Sequence, residues 1–530
     1  MTKQFVSPAI RTAGLFTLLF GLSPLLPGCT NLDEIPSSAI TPGNFYRNEA
    51  EVLAGLAGVY SQLKATLGNY YNLSEITSDE MIVPTRGQDW YDNGRWLEMH
   101  RQAWTATSPT ALEDMNGAWS DDFAGVARAN ELLAALQNVS VPNQAAIVAE
   151  LRTLRAYFYY QLLDFFGGAP IVTVNDYKPH ARSTRAELFA FIESELKAAK
   201  ADLPATWDAG NHGRFTKGVA DAILANMYLN AAVFTKDNGI NAIAYNSCVT
   251  VPLGAGTACD SAAAYANNVI TSPYYALEDT FAKAFRPSNH LSPENIMVVK
   301  NLASDGLGLN FVMRALHYSQ FNPSPWNGFS AVADVYTSFD AADARRRIFL
   351  VGQQYDLNTG VPTDSVKDRQ GNWLVFKDTI QDATAASEGE GARILKWPPD
   401  PRHVGPDNGN DFAFFRVGEM YLIRSEALLE AANAAGALTA LNNLRARDFN
   451  PPKPVVAVTR DTILRERLFE LTGEAKRRQD LIRFGQYTAA RPLDNMPAHD
   501  IAARDPTRVL MPIPQTQIDA NPLLKQNPGY

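Results

Sequence analysis

Two loops carry the side chains best suited to chemistry on a ligand. The first reads Trp90-Tyr91-Asp92-Asn93-Gly94-Arg95-Trp96, with Trp104 soon after, and the second reads Asn322-Pro323-Ser324-Pro325-Trp326-Asn327-Gly328. Both mix large rings with small, polar and charged residues. Rings stack on the apolar faces of pyranoses, while carboxylate, amide and guanidinium groups bind hydroxyls, so the mixture suits a sugar. Asp79 and Arg86 lie just before the first loop, placed to add charge-assisted hydrogen bonds. The candidate ligand contacts are therefore Asp79, Arg86, Trp90, Tyr91, Asn93, Trp96, Trp326 and Asn327. The competing reading is that these tryptophans plug their loops onto the core.

Signatures of catalysis are missing. The chain has no His-Glu-x-x-His, no Gly-Lys-Ser/Thr phosphate loop, no Gly-x-Ser-x-Gly elbow and no Gly-x-Gly-x-x-Gly opening a helix. Its seven histidines, His100, His180, His212, His290, His317, His403 and His499, are scattered and read as surface or satisfied residues. Carboxylates are plentiful, but a glycosidase pair is defined by a separation that sequence does not supply. Asp407-Asn408-Gly409-Asn410-Asp411 is rich enough in oxygen to attract calcium. It lacks the alternating spacing and terminal Glu of an EF-hand loop and reads as a solvated turn, so no cofactor is expected. A net charge of −9 argues against nucleic acid, whose phosphates need a basic face.

The elements that must position these loops are mostly helical. Asn48 is a good N-cap with Glu51 three residues on, as in a capping box, and Val52, Leu53, Leu56, Tyr60, Leu63 and Leu67 follow at helical spacing. A second helix is expected near 120–138. In the third, Leu151, Leu154, Phe158, Leu162 and Phe165 form one stripe, closed by Gly167-Gly168 and Pro170. Further helices are expected at 184–201, 216–234, 261–271, 412–433, 436–447, 460–473 and 475–486. Leu464, Leu468 and Leu471 make a core stripe, Glu474 and Arg478 an i,i+4 pair, and Arg477, Arg478, Asp480 and Arg483 a structural ion network. Between 272 and 410 helical periodicity fades except near 331–349, and Pro, Gly, Asn and Asp mark a loop-rich region with short strands. Paired helices of these lengths predict stacked hairpins of tetratricopeptide type without a strict sequence repeat.

The first residues read as an address. Lys3 and Arg11 are the only charges before a largely apolar run from Ala13 to Leu26, too short to span a bilayer, where about 20 residues are needed. Leu26-Pro27-Gly28-Cys29 ends it in the pattern of a bacterial lipobox, with Pro27 a departure from the usual small residue or Ser/Thr. Residues 1–28 are thus expected to be a lipoprotein signal peptide, Cys29 the lipidated residue and 29–44 the tether. Acyl chains, at about 0.8 kcal/mol per buried methylene, would be the only attachment to the membrane. In an oxidising compartment Cys248 and Cys259 are candidates for a loop disulfide.

Taken in order, these segments resemble the SusD/RagB family of outer-membrane nutrient-binding lipoproteins. The resemblance rests on the lipobox, the helix entered at Phe45-Tyr46, Leu151-Arg152-Thr153-Leu154-Arg155-Ala156-Tyr157-Phe158-Tyr159-Tyr160 and Phe166-Gly167-Gly168-Ala169-Pro170. It continues through Phe415-Arg416-Val417-Gly418-Glu419-Met420-Tyr421-Leu422, Arg465-Glu466-Arg467-Leu468-Phe469-Glu470-Leu471, Asp480-Leu481-Ile482-Arg483-Phe484-Gly485, Pro512-Ile513-Pro514 and Gln526-Asn527-Pro528-Gly529-Tyr530. Length alone allows three or four domains of ~150 residues. The resemblance instead implies one mainly α domain over 45–530, built of SusD-like helical hairpins, with 272–410 as its loop-rich insert. It implies no catalysis. It implies an exterior-facing lid on a SusC-like TonB-dependent transporter barrel, capturing oligosaccharides or, in some members, peptides or glycoproteins. The family's starch-binding member uses an aromatic arc with nearby Asp, Arg and Asn, and Asp79, Arg86, Trp96 and Trp326 occupy broadly comparable regions here. The rival of another class is a lipid-anchored glycoside hydrolase, and a third option is a barrel lid that binds nothing itself.

Overall fold

Asn48 opens the first helix by accepting a hydrogen bond from the Glu51 amide at 3.0 Å. The Glu51 carboxylate turns outward to the Arg47 amide and guanidinium, so the expected reciprocal capping box does not form. The computed structural model of the chain describes residues 45–237, 243–491 and 502–530. The signal peptide, Cys29 and the tether 29–44 lie outside the described residues, as does His499. Residues Tyr46–Tyr530 form one compact unit.

The described helices are α1 (Glu49–Glu75), α2 (Arg95–His100), α3 (Leu112–Ala135), α4 (Gln144–Phe166), α5 (Arg185–Asp202), α6 (Lys217–Leu229), α7 (Ala231–Phe234) and α8 (Ala258–Ile270), then α9 (Phe311–Ala315), α10 (Ala333–Ser338), α11 (Val417–Glu430), α12 (Ala434–Arg445), α13 (Arg460–Leu471), α14 (Arg477–Arg483) and α15 (Gln515–Ala520). Successive pairs stack: α1 on α3, α3 on α4, α4 on α5, α5 on α6, α6 on α8, α8 on α11, and α11 on both α12 and α13. The fold is helix-dominated, as expected.

Helix α4 is the centre of the stack. Nearly every residue from Ala149 to Phe166 is buried, with Tyr157, Tyr159 and Tyr160 as deep as the leucines. A Cβ on Gly125 of α3 would lie 2.5 Å from the Phe158 ring, so only glycine lets these two helices meet. Gly167, at φ 79°, ends α4. The turn is then locked from afar: Met511 N–H donates to Phe165 O, Arg182 to Phe166 O and Gly168 O, and Asn527 Nδ2 to Phe166 O and Met511 O. Trp104, fully buried, donates to the Tyr530 hydroxyl at 2.7 Å.

The strands are short and pair antiparallel: β1 (Met81–Ile82) with β5 (Ser330–Ala331), β2 (Pro252–Leu253) with β3 (Gly256–Thr257), β4 (Asn295–Val299) with β10 (Phe412–Arg416), β6 (Phe349–Leu350) with β9 (Arg393–Ile394), and β7 (Gly352–Gln353) with β8 (Val375–Phe376). The predicted helix 412–433 thus begins as a strand. Phe412 and Phe414 are needed as cross-chain packing, Phe414 against Tyr70 and Tyr157 and Phe412 stacked on Trp397 at 5.2 Å. The predicted Glu474–Arg478 pair does not form. Glu474 instead binds Arg416 and Lys396, and Arg478 binds Asp164. Cys248 and Cys259 are joined as a disulfide.

Asp407–Asp411 is not a solvated turn. Asp407 accepts from the Gly306 and Gly308 amides at 2.9 Å, Asn408 from the Asp400 amide, and Asp411 from the Asn301 amide at 2.7 Å, with Asn408, Asn410 and Asp411 buried. The oxygens are spent on clamping loop backbone. Among the described residues no cluster of three or more His, Cys, Asp or Glu could hold a metal ion.

Candidate functional site

The pairing of β1 with β5 creates the site. Ile82 lies opposite Ser330, so the chain leaves β1 beside the point where it enters β5. The loop after β1 and the loop before β5 must therefore emerge together. They touch: Trp90 Nε1 donates to Trp326 O at 2.6 Å, and the Trp90 ring lies on Gly328, where a Cβ would sit 2.3 Å from the indole. Trp90, Asp92, Asn93 and Asn327 all adopt positive φ, which turns the loops sharply.

Four of the eight predicted contacts lie on these joined loops with exposure to solvent. Tyr91 is 57% and Trp326 40% exposed, Asn93 is exposed, and Trp90 is half-buried between Trp96 and Phe329. The other four are committed elsewhere. Trp96 is buried against Phe329 at 5.7 Å and donates to Asp92 Oδ2 at 2.6 Å, so it plugs the loop onto the core. Asp79 is held bidentately by Arg477 at 2.7 and 2.8 Å, tying α14 to the segment before β1. Asn327 is fully buried, donating to Glu388 O and accepting from Arg393. Arg86 is 2% exposed, and its guanidinium donates to Asn327 O, Ser387 O, Glu390 O and Ser330 Oγ.

Arg86 and Arg393 together form the floor. Both donate to Ser330 Oγ at 3.0 Å and to Glu390 O, so two guanidinium groups satisfy carbonyls that the irregular loops leave unpaired. Desolvation pulls Arg86 down to about 10 and, with the neighbouring Arg86 charge added, pulls Arg393 well below its ordinary value. Neither group is presented to solvent.

Further polar groups at the face come from residues outside the eight. Tyr318 donates its hydroxyl to Asp89 Oδ2 at 2.6 Å. Arg369 lies over the Tyr318 ring at 4.2 Å and donates to Asp89 at 3.1 Å and to Glu388 Oε1. His317 Nδ1 accepts from the Ser319 amide, so its proton sits on Nε2 and is donated to Glu388 Oε2 at 2.9 Å. Desolvation alone would raise Glu388, but hydrogen bonds from Arg369 and His317 outweigh it and hold its carboxyl at about 2. Burial pulls the His317 imidazolium down, keeping the ring neutral. Arg369-Gln370-Gly371-Asn372-Trp373 has the ring-plus-amide composition of the two loops first singled out, and that composition was the signal available for it. Trp373 is 59% exposed, with Lys367 Nζ 4.9 Å from its ring.

The arrangement offers exposed rings edged by an Asp89–Arg369–Glu388 network, two carboxylates on one guanidinium: apolar platforms beside fixed donors and acceptors. A separate hollow of about 510 Å³ lies against α1, lined by Leu53, Leu56, Tyr60 and Leu307, and shares no residue with this face.

Comparison with known proteins gives a consistent set. A family model described as "SusD family" matches residues 317–530, and one described as "Starch-binding associating with outer membrane" matches residues 32–229. The chain is 27% identical over 435 residues to the starch-binding protein SusD of Bacteroides thetaiotaomicron, covering 72% of each. It is 22% identical over 556 residues to a SusD-like protein, P25, of Formosa agariphila, covering 94% of this chain and 96% of that one. Among solved structures, surface glycan-binding protein A from Bacteroides thetaiotaomicron in complex with laminarihexaose superposes with a TM-score of 0.70 at 19% identity, covering 91% and 99% of the two chains. A laminarin-binding SusD-like protein superposes with a TM-score of 0.69 at 22% identity, covering 92% and 100%.

Proposed function

Because this chain belongs to the SusD/RagB family, we propose that it binds oligosaccharide at the cell surface without catalysis and delivers it to a SusC-like TonB-dependent transporter, acting as the barrel's lid. Lipidated Cys29 would hold it on the outer membrane, facing outward. The observation that carries the binding step is the joining of two loops, 236 residues apart at Trp90 and Trp326, into one face of solvent-exposed rings. The names of the relatives, starch-binding and laminarin-binding, support a glycan as the ligand.

In this reading Trp90, Tyr91 and Trp326 stack on pyranose faces, and Asn93, Tyr318, Asp89 and Arg369 bind hydroxyls at the ring edges. Arg86, Arg393, Asn327 and Trp96 position the loops beneath. Because the Arg369 guanidinium is already paired with two carboxylates, Asp89 and Glu388, it has no spare charge for an acidic sugar, and the face suits a neutral glycan. Open rings without a closing cavity give modest affinity, which suits a protein that must release its cargo into a barrel.

The test is calorimetry with laminarihexaose and maltohexaose. Trp326→Ala and Tyr91→Ala should each weaken binding at least tenfold, and neither sugar should yield new reducing ends. Unchanged affinity in both variants removes this face as the site, and hydrolysis products overturn the non-enzymatic reading in favour of a glycoside hydrolase.

A further inference from the structure

We propose a second carbohydrate-binding site, in a hollow of about 250 Å³ between the segment that precedes α6 and the loops that follow α8. It rests on the glycan reading of the first face only for the choice of probes, and it shares no residue with that face.

Trp207 supplies its principal ring. The indole Nε1 donates to Phe215 O at 2.9 Å, and the Arg214 guanidinium lies 3.9 Å from the ring centroid, so the ring cannot swing. Arg214 is itself fixed by Glu150 at 3.1 and 2.5 Å and by Asn211 at 3.0 Å. A half-buried indole anchored at its nitrogen and braced by a cation is a preorganised platform, which lowers the entropy cost of stacking a sugar. Tyr274, 49% exposed, lines the same hollow from the other segment.

The polar lining matches hydroxyls better than any charged ligand. His212 is held by Asp411 at 2.7 Å, and the exposed His290 ring lies 5.9 Å from it, which puts two imidazoles at the mouth. Asn295 lines the wall, with its amide nitrogen bonded to Ala284 O and Asn289 O while its Oδ1, buried, accepts no hydrogen bond. The cation is already paired with Glu150, which disfavours a phosphate or carboxylate. Two histidines lack the third ligand that a metal would need, and among the described residues no such cluster exists. The volume lies below the ~300–1,000 Å³ of pockets for drug-sized ligands, so the site takes one or two rings of a glycan.

The experiment is calorimetric titration of the full mature chain with laminarihexaose, maltohexaose and cellohexaose, in four forms: wild type, Trp326→Ala, Tyr274→Ala, and Trp207→Ala with Tyr274→Ala. Tyr274 is exposed, so its variant keeps the test independent of folding, and thermal melts check the others. The expected result is two equivalents on wild type. One should survive Trp326→Ala, and Tyr274→Ala should weaken that survivor tenfold or more. A single equivalent abolished by Trp326→Ala and untouched by Tyr274→Ala overturns the second site and leaves the first. A single equivalent abolished by the Trp207/Tyr274 variant and untouched by Trp326→Ala does the reverse. No binding of any of the three sugars overturns both.

Discussion

Gly328 shows how closely the site's geometry is set at single residues. Its missing side chain is the space in which Trp90 lies, and any Cβ there would meet the indole at 2.3 Å. Gly328→Ala should therefore push Trp90 off the loop and break its bond to Trp326 O. Overpacking of this kind costs about 1–3 kcal/mol, readable as a lower melting temperature together with weakened sugar binding. An unchanged melt and unchanged affinity would mean that the ring is not seated there. The same scale separates presenting residues from supporting ones. Arg86 was legible as a charged residue beside an aromatic loop, but charge type does not reveal which way the group points. Its guanidinium is consumed by three carbonyls and a hydroxyl inside the protein. Asp79 likewise looks like a ligand contact in sequence and becomes the partner of Arg477, 398 residues away.

Elements were legible where local chemistry dominates. The helix expected over 184–201 is α5, started by Thr184, whose Oγ1 accepts from the Glu187 amide while Glu187 accepts from the Thr184 amide. The stripe of α4 and its glycine stop also stand where the periodicity placed them. Elements failed where packing outvoted periodicity. Phe412–Arg416 pairs with β4 because its rings are needed between the helical stack and the insert, and the predicted helix 216–234 breaks at Asn230, whose side chain bonds back to Asn226 and accepts from Arg483. The hairpin β2–β3 is tied by Cys248–Cys259 against α8. Closing a loop this short is worth about 2–3 kcal/mol. Cys248→Ser with Cys259→Ser should lower the denaturation midpoint by that equivalent and leave sugar binding at the Trp326 face unchanged. Loss of that binding would mean that the hairpin supports the site.

At the scale of the whole molecule, buried charge joins the insert to the helices. Glu470 of α13 binds Arg416 and Arg447 at 2.6 Å and Arg345 at 3.1 Å, with Glu470, Arg416 and Arg345 buried and Arg447 partly buried. Attraction to these cations overcomes desolvation and holds the Glu470 carboxyl far below its ordinary value. Glu470→Ala leaves three guanidinium groups short of charge and should cost about 3–5 kcal/mol, with Glu470→Gln losing less. A melt within a degree of wild type for the alanine variant would show the network to be dispensable. A second device acts in the opposite sense. Glu75 and Glu80 are buried side by side, accepting from the Ala475 and Gly473 amides, and burial raises both, Glu80 to about 7. The folded chain then holds protons that the unfolded chain releases near 4.5, so Glu80 lowers stability as pH rises from about 4.5 to 7, and Glu75 acts in the same sense. Glu80→Gln keeps the acceptor without the titration. Its melting temperature should match wild type near pH 4.5 and exceed it at pH 8, and an equal gap at both would exclude the pair as a source of pH dependence.

The sequence by itself determined the helical class, the main helix stripes and stops, the two aromatic loops and the family resemblance. Each of these is written in spacing, capping or composition within a few tens of residues. It also marked the ring-rich loops as the place to look for a ligand. Only the tertiary structure decided which rings face solvent, because β1–β5 pairing across about 250 residues brings the loops together and the core then claims Trp96 and Trp104. It also decided that Arg86, Asp79 and Asn327 support the loops, and that Asp89, Tyr318, Arg369 and Glu388 edge the face. The reason is physical: a polar side chain's role depends on which backbone groups are left unpaired around it, and that accounting closes only when distant segments are packed.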